Sequence, residues 1–495
     1  MKIIELNEEN RSLYASYFTD ESRLSGQASR IVFPQDVDSL CAFVKESYAQ
    51  DIPLVVQGAR TGLCGGAVPK DPASCVIALE NLTEHGEIQK DEQSALIEVQ
   101  CGLSLGELHK YIARSGYRLA PDPSEDSATV GGLFANQAKG MNAATAGTVS
   151  RYVEGLSFLL YDGTLLHIAR GECTVTETGF TLPDGKTFEV PFVPSDPRFP
   201  FLPHTGEDLI DLLAGSEGAY GIAVDFTLRL LPADPSVWGI WFFFPDGEAV
   251  FRCAELIRGF AGETPRVRSL DFLSGSALHT ADSARSVLES LNGIPDLPDG
   301  SGSALYLELA GASDEALEET LMLLADELEL HGFDLDNTWV ATDLQGVERF
   351  HAFRHAVPEQ LNARLDTLRQ KEPALYRVSI DLACEPASCA AHMEALVNRT
   401  CDLPVFAAVY GHVLDGRIHV DLLPETKEDL PHCEAFFRGL SMNPFLRAGA
   451  ENGIGKLKRD LLRLSLTEEE YKQFCAVKGF FDPQGLWNPG SFIPD

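Results

Sequence analysis

The sequence predicts an α+β protein of two unlike domains followed by a helical segment. Residues 1–233 alternate short apolar strands with helices and carry two glycine-rich loops. From Val237 the pattern changes to a β-α-β-β-α-β order, and from Pro431 the chain reads as mostly helical. A length of 495 residues also exceeds one ordinary domain of ~100–200 residues. The boundaries that follow are 1–233, 234–430 and 431–495.

A short helical lead-in precedes "RIVF", a strand. Val37, Leu40, Cys41, Val44 and Tyr48 recur at three- and four-residue spacing and predict a helix. "PLVV" is the next strand and runs into "QGARTGLCGGAVP". Strands "CVIAL" and "SALIEVQCG" follow, then the helix "SLGELHKYIARSG", where Ser104 and Glu107 form a capping box. After the small-residue stretch "PDPSEDSATVGGLFANQAKG", two strands meet at Asp162-Gly163, a hairpin signal. The first domain closes on "GSEGAYGIAVDFTLRLLP".

In the second domain "VWGIWFFFP", "VRSLDFL", "SALYLELAG" and "TWVATD" are strands, with helices after the first and third. This is the split βαβ, ferredoxin-like arrangement. A helix from Leu344 into the 360s, the strand "ALYRVSIDLAC", a helix over 390–398 and the hairpin "YGHVLDGRIHVD" complete it. The tail reads as helices "HCEAFFRGL", "NGIGKLKRDLLRLS" and "EEEYKQFCAVKGFF", then "DPQGLWNPGSF".

Seventy-four acidic against 39 basic residues give a formal charge of −35. Such a field repels nucleic acid and anionic lipid and favours solubility. No stretch approaches the ~18–20 apolar residues of a membrane helix, and no signal peptide opens the chain, so a cytoplasmic location is expected. The eleven cysteines contain no C-x-x-C pair, which argues against an iron–sulfur cluster or a disulfide framework.

"VQGARTGLCGGAVP" follows a strand but matches neither G-x-G-x-x-G nor the phosphate-loop pattern. Successive glycines nevertheless let several backbone N–H groups converge on a pyrophosphate. The order of this loop, "PDPSEDSATVGGLFANQAKG", "GSEGAYGI" and the terminal "WNPG" resembles the FAD-linked oxidase and 2-hydroxyacid dehydrogenase family of the vanillyl-alcohol-oxidase type. D-lactate, glycolate and D-2-hydroxyglutarate dehydrogenases are its nearest look, and the resemblance spans nearly the whole chain. It implies a two-subdomain PCMH-type FAD-binding domain, a ferredoxin-like cap and a helical segment returning to the flavin. It also implies non-covalent FAD, because no histidine stands where some relatives tether the ring. By the same resemblance Gln57, Gly58, Ala59, Arg60, Thr61, Gly62 and Leu63 wrap the pyrophosphate. Pro121, Asp122, Ser124, Thr129, Gly131, Gly132 and Asn136 line the second half of the groove, Glu217, Gly221 and Ile222 the adenine side, and Asn488 the ring.

The hairpin contains two histidines. With Asp415-Gly416 as the centre of a type I′ turn, His412 is expected opposite His419, where Cβ atoms stand ~4.5–5.5 Å apart and two imidazoles reach one ion. "GHVLDGRIHV" resembles the family's "GHAGDGNLHV", and "AENGIGKLK" its "SEHGIGxxK". These imply a divalent metal on His412, His419 and Glu451, zinc by ligand type, with manganese or iron as alternatives. Arg354, in "RFHAFRHAVPEQ", matches a family arginine whose planar fork suits a substrate carboxylate. Arg377 is a second, weaker candidate for that task.

Arg60 replaces a usual glycine or asparagine of the family and Arg377 a lysine, and three further positions, at the hairpin and the base, also depart from it. Its general-base histidine is Asn452 here, and asparagine takes up no proton. Its hairpin glycine and asparagine are Leu414 and Arg417, both expected on the histidine face. Three readings follow: a 2-hydroxyacid oxidoreductase with His351 or His355 as substitute base; a flavoenzyme with a shifted substrate; and a non-catalytic FAD-carrying subunit. In the enzymatic readings a 2-hydroxyacid passes hydride to flavin N5 with metal assistance, and Arg354, Arg377, Arg417 and Asn452 are the residues placed at the chemistry. Electrons leave to a separate acceptor, an iron–sulfur subunit, an electron-transfer flavoprotein, a quinone or oxygen, and a homodimer is compatible with the sequence.

Overall fold

The computed structural model describes residues 1–90, 95–121, 123, 125–189, 204–245, 247–260, 266–449 and 451–491. The chain forms two compact units. Unit 1 comprises Met1–Gly140, Gly147–Pro232 and Ser441–Asp495, and unit 2 comprises Met141–Ala146 and Ala233–Leu440.

Unit 1 contains two main sheets. In the first, β1 (Lys2–Glu5), β2 (Arg30–Phe33), β3 (Leu54–Gln57) and β4 (Cys75–Ala78) lie in the order β1-β2-β4-β3. β4 runs parallel to both β2 and β3. All four of its side chains are buried, as the unbroken apolar run "CVIA" requires of a strand covered on both faces. The crossover helix Val37–Ala49 starts where Asp36 accepts the Ser39 N–H at 2.7 Å, and it buries Leu40 and Val44 completely. The lead-in expected to be helical is instead β1 followed by a 3₁₀ turn over Arg11–Phe18; its edge strand pairs with β2.

The second sheet runs β5 (Gln89–Lys90), β6 (Ala95–Gln100), β12 (Ile222–Pro232), β8 (Val153–Leu159), β9 (Leu165–Ala169). β7 (Tyr117–Arg118) also pairs with β12, and β10 (Gly179–Thr181) and β11 (Thr187–Glu189) form a separate hairpin. Along β12, buried Ile222, Val224, Phe226, Leu228 and Leu230 alternate with half-exposed neighbours, the period-2 pattern of a sheet with one face on the core. The tail returns to β3: the Leu54 N–H donates to the Leu486 carbonyl at 2.8 Å and the Asn488 N–H to the Leu54 carbonyl at 2.7 Å. Asp482 holds this tail in shape by accepting from the N–H groups of Leu486 and Trp487, both at 2.9 Å, and from the Tyr48 hydroxyl at 2.5 Å.

The helix expected over "NGIGKLKRDLLRLS" begins only at Arg459 and ends at Ser465. Gly453 and Gly455 adopt φ of +77° and +52°, and the Ile454 and Gly455 N–H groups donate to the Glu217 carboxylate at 2.6 and 2.7 Å. A buried carboxylate has taken the amides that a helix would have used.

In unit 2, β13 (Ser236–Phe244), β14 (Arg266–Ser274), β15 (Ser303–Gly311) and β16 (Trp339–Ala341) stand in the order β16-β13-β15-β14, the 4-1-3-2 arrangement of a split βαβ. The sheet continues beyond β14 through β18 (Phe406–His412), β19 (Arg417–Leu423) and β17 (Val378–Ala383). The long helix Leu344–Arg369 begins at an Asp343 cap and packs Phe350, Phe353, Ala356 and Val357 into a core with Trp241, Tyr306 and Trp339.

Candidate active site

In unit 1 the glycine loop begins at Gln57, whose Nε2 donates to the carbonyls of Tyr17 (2.9 Å) and Ala67 (2.7 Å), while its Oε1 is buried with no partner among the described residues. A Cβ on Gly58 would lie 2.3 Å from Thr129 Oγ1, so only glycine lets the two loops meet; at Gly62 a Cβ would touch nothing within 4 Å. Arg60 takes a left-handed φ of +64° and lays its guanidinium over the Tyr17 ring at 4.4 Å. Ala59, Thr61 and Leu63 are half-buried and Pro121 is buried. Thr129 caps the turn by accepting the Gly132 N–H at 3.2 Å, and Gly131 lies close against Cys101. Asp122 and Ser124 lie outside the described residues.

Glu217 (φ +48°) and Asn488 (φ +46°) close this region. Burial pushes the Glu217 carboxyl up to about 7, against the two amides it accepts and the nearby Lys456. Burial likewise pulls Lys456 down to about 7, against Glu217 and Asp20. The Lys456 ammonium donates to the Gly66 carbonyl (3.1 Å), Asn488 Oδ1 (2.8 Å) and Ser491 Oγ (3.0 Å). Asn488 Nδ2 donates to the carbonyls of Gly66 (3.0 Å) and Glu217 (2.8 Å). Asn136 donates to the Glu451 carbonyl at 3.4 Å, and Gly221 sits at φ +145° where a Cβ would strike the Leu159 carbonyl, immediately before Ile222 opens β12. Glu451 and Asn452 thus belong to unit 1, and the Asn452 carbonyl accepts from Cys64 Sγ at 3.0 Å. An open glycine cradle and a nearby ammonium fit a pyrophosphate-bearing cofactor. Lys456 was not singled out by its sequence context; its only signal is a lysine inside a glycine-flanked apolar turn.

In unit 2 the hairpin register differs from expectation. His412 stands opposite Arg417, and Tyr410 opposite His419. Residues 413–416 form a longer connection, and of Asp415 and Gly416 only the glycine has positive φ, at +73°, so the turn is not type I′. The Val413 N–H donates instead to the Leu270 carbonyl on β14, which takes the residue out of the hairpin ladder. His412 and His419 are therefore diagonal neighbours, with ring centroids 5.7 Å apart and one ring nitrogen of each within 4.8 Å of the other. Arg417 shares their face, with its Nε 3.7 Å from Asp415; Leu414 lies in the connection and not on a strand face.

Asp271, on β14 directly across from His412, organises this face. Its Oδ1 accepts from His412 Nδ1 at 2.7 Å and its Oδ2 from Arg354 Nε at 2.9 Å. This fixes the proton of His412 on Nδ1 and leaves Nε2 as the lone pair, which meets an Arg354 N–H at 3.3 Å. A carboxylate behind an imidazole is the usual support of a metal-ligating histidine. His412, so supported, and the neighbouring His419 fit a divalent metal, and the Arg354 cation stands at the lone pair such a metal would use. Burial acts to raise the Asp271 carboxyl, but His412 and Arg354 outweigh it and hold it below the usual carboxylate range. Nothing in the motif reading named Asp271, yet a lone carboxylate inside "SLDFL" is a signal, because a buried charge needs a partner.

Arg377 is engaged elsewhere: it pairs with Asp421 at 2.8 Å and donates to Asn362 Oδ1 at 2.8 Å and the Pro358 carbonyl at 3.3 Å. Tyr410 completes that group by donating to Asp421 at 2.7 Å. His351 lies 2.5 Å from the fully buried Glu308, which also contacts Arg268 and accepts from Tyr306.

Residues 28–169 match the FAD binding domain family, and residues 240–492 match the C-terminal domain of FAD linked oxidases. The chain is 25% identical to the D-lactate dehydrogenase of Archaeoglobus fulgidus, over 94% of this chain and 91% of that one. It is 24% identical to the D-2-hydroxyglutarate dehydrogenase of Stutzerimonas stutzeri, with 94% and 91% covered. Against the glycolate oxidase subunit GlcD of Bacillus subtilis the identity is 22%, with 94% and 88% covered. Among solved structures, the 4-ethylphenol oxidase of Gulosibacter chungangensis superposes with a TM-score of 0.68 at 15% identity, covering 97% of this chain and 93% of the other. Fold and cradle together define an FAD-binding oxidoreductase. The chain belongs to the FAD-linked oxidase family. Among the described residues no helix is long and apolar enough to cross a membrane.

Proposed function

We propose that the protein oxidises a 2-hydroxycarboxylate of the D-lactate, glycolate or 2-hydroxyglutarate type to the 2-oxoacid. Bound FAD would supply the two-electron acceptor for the C2 hydride. The observation that carries this reading is the Arg354–Asp271–His412 group, a buried guanidinium aligned by a carboxylate beside a histidine whose Nε2 is left as an acceptor. Arg354 binds the substrate carboxylate, a task for which its planar fork is suited. By the family pattern His412, His419 and Glu451 would hold a divalent metal, zinc first by ligand type, which would supply a Lewis acid. Gln57 to Leu63, Thr129 to Asn136, Glu217 and Asn488 hold the cofactor. Electrons then pass to a separate acceptor, and a cytoplasmic location agrees with the acidic composition.

The test is an anaerobic screen of D- and L-2-hydroxyacids for bleaching of the bound flavin, with metal content measured on the same sample. Bleaching by at least one 2-hydroxyacid is expected. No bleaching with metal present overturns the reading. Asn452 favours a second reading, a non-catalytic FAD-carrying subunit, and that reading predicts no bleaching and no stoichiometric metal.

A further inference from the structure

If the chain oxidises a hydroxyacid, some group must take the hydroxyl proton, and Asn452 is not able to. A base for this step must carry a lone pair at neutral pH, lie by the carboxylate anchor and be uncommitted to another partner. The helix Leu344–Arg369 carries two imidazoles within one turn of Arg354, His351 and His355. His351 is committed, since its Nε2 lies 2.5 Å from the Glu308 carboxylate. His355, one turn further along the same helix face and 6.3 Å from it ring to ring, is different. Its Nε2 is buried and has no hydrogen-bond partner among the described residues. An unmet buried polar atom is costly and calls for an explanation.

We propose that His355 is the catalytic base, resting on the hydroxyacid reading above. Burial first, then Arg354 and the His351 and His412 imidazoles near it, hold its imidazole well below the usual histidine range, so it is neutral at pH 7. The carboxylates on the facing strands are already engaged, Glu308 by His351 and Arg268, and Asp271 by Arg354 and His412. When a substrate carboxylate settles on Arg354, one of the charges that disfavours imidazolium is neutralised. The basicity of His355 therefore rises as the substrate arrives. In the reaction the O–H bond breaks and its proton goes to His355 Nε2. The C2–H bond breaks with its electron pair passing as hydride to the bound FAD, and the C2–O bond becomes a carbonyl. The acid is oxidised by two electrons and the flavin is reduced by two.

The experiment is stopped-flow flavin reduction on the FAD-loaded protein, with the best hydroxyacid of the screen, for wild type, H355Q and H351Q across pH 6–10. H355Q is expected to slow reduction at pH 7 by roughly 10²–10⁴-fold while retaining FAD and 2-oxoacid binding. Its rate should climb about tenfold per pH unit as hydroxide replaces the imidazole, and H351Q should slow reduction less. H355Q reducing within threefold of wild type, or with the wild-type pH profile, overturns the assignment and leaves the hydroxyacid reading intact. A wild type that no 2-hydroxyacid bleaches overturns both. Should H355Q not retain FAD, H355N is read in its place by the same two criteria, the rate at pH 7 and the pH profile: a rate within threefold of wild type, or the wild-type pH profile, overturns the assignment.

Discussion

Asp271 and His412 face each other from adjacent antiparallel strands, with Oδ1 and Nδ1 2.7 Å apart in a fully buried setting. The same carboxylate holds Arg354 through its second oxygen. One side chain therefore sets both the tautomer of a candidate ligand and the aim of the candidate anchor. D271N is expected to weaken metal retention by about 10–100-fold, the usual effect of losing such a support. Metal titration of the purified variant against wild type checks it.

Arg354 should be sensitive to a change that keeps its charge. In R354K the ammonium is a point charge and cannot bridge a carboxylate in two places. We expect a fall in kcat/KM of about 10²-fold, mostly as a raised KM, measured with whichever hydroxyacid bleaches the flavin.

Glu308 predicts an acid limb in stability. Burial acts to raise its carboxyl, but His351, Arg268 and the Tyr306 hydroxyl outweigh burial and bring it down to about 2. Unfolded, it titrates near ~4.3. A depressed folded value means that its contribution is complete above the unfolded value and is lost as pH falls through the folded one. Wild-type stability should therefore drop between pH ~4.3 and about 2 in a part that E308Q lacks. At pH 7 the variant should be less stable by roughly 3–5 kcal/mol, because buried cations lose their partner. Denaturant unfolding at several pH values measures both.

Gly453 combines a φ of +77° with a Cβ position only 2.3 Å from Asn136 Oδ1 and 2.5 Å from Glu217 Oε1. G453A should strain the backbone by about 1–2 kcal/mol and push Glu217 off its amides. A lowered Tm and a loss of bound FAD are expected, read from thermal unfolding and the flavin-to-protein absorbance ratio.

The ferredoxin-like order was legible because its strands and helices differ in period and length, and β13 to β16 follow it. The glycine loop was legible because its residue types have few other uses. The hairpin register was not. Asp-Gly is a strong local signal, but the outcome was decided by β14, a strand some 140 residues earlier, whose Leu270 carbonyl takes the Val413 N–H. The late start of the helix at Arg459 has the same origin, since Glu217 competes for its amides from 237 residues away. Local propensity has no term for such a competitor. The role of Asp271 was hidden for a related reason: its partners come from β18 and from the helix bearing Arg354, and no spacing in its own segment announces them.

Unit 1 is built from three stretches of chain, and its cradle is closed by Lys456 and Asn488. During synthesis the ribosome delivers all of unit 2 before those two residues exist. Unit 2 is then free to fold first, while the earlier part of unit 1 waits with β3 lacking its Leu486 and Asn488 partners. Cofactor loading thus becomes a late event in the life of the nascent chain, and a product that stops short of Asp482 should leave the ribosome with a folded cap and no means of keeping its flavin.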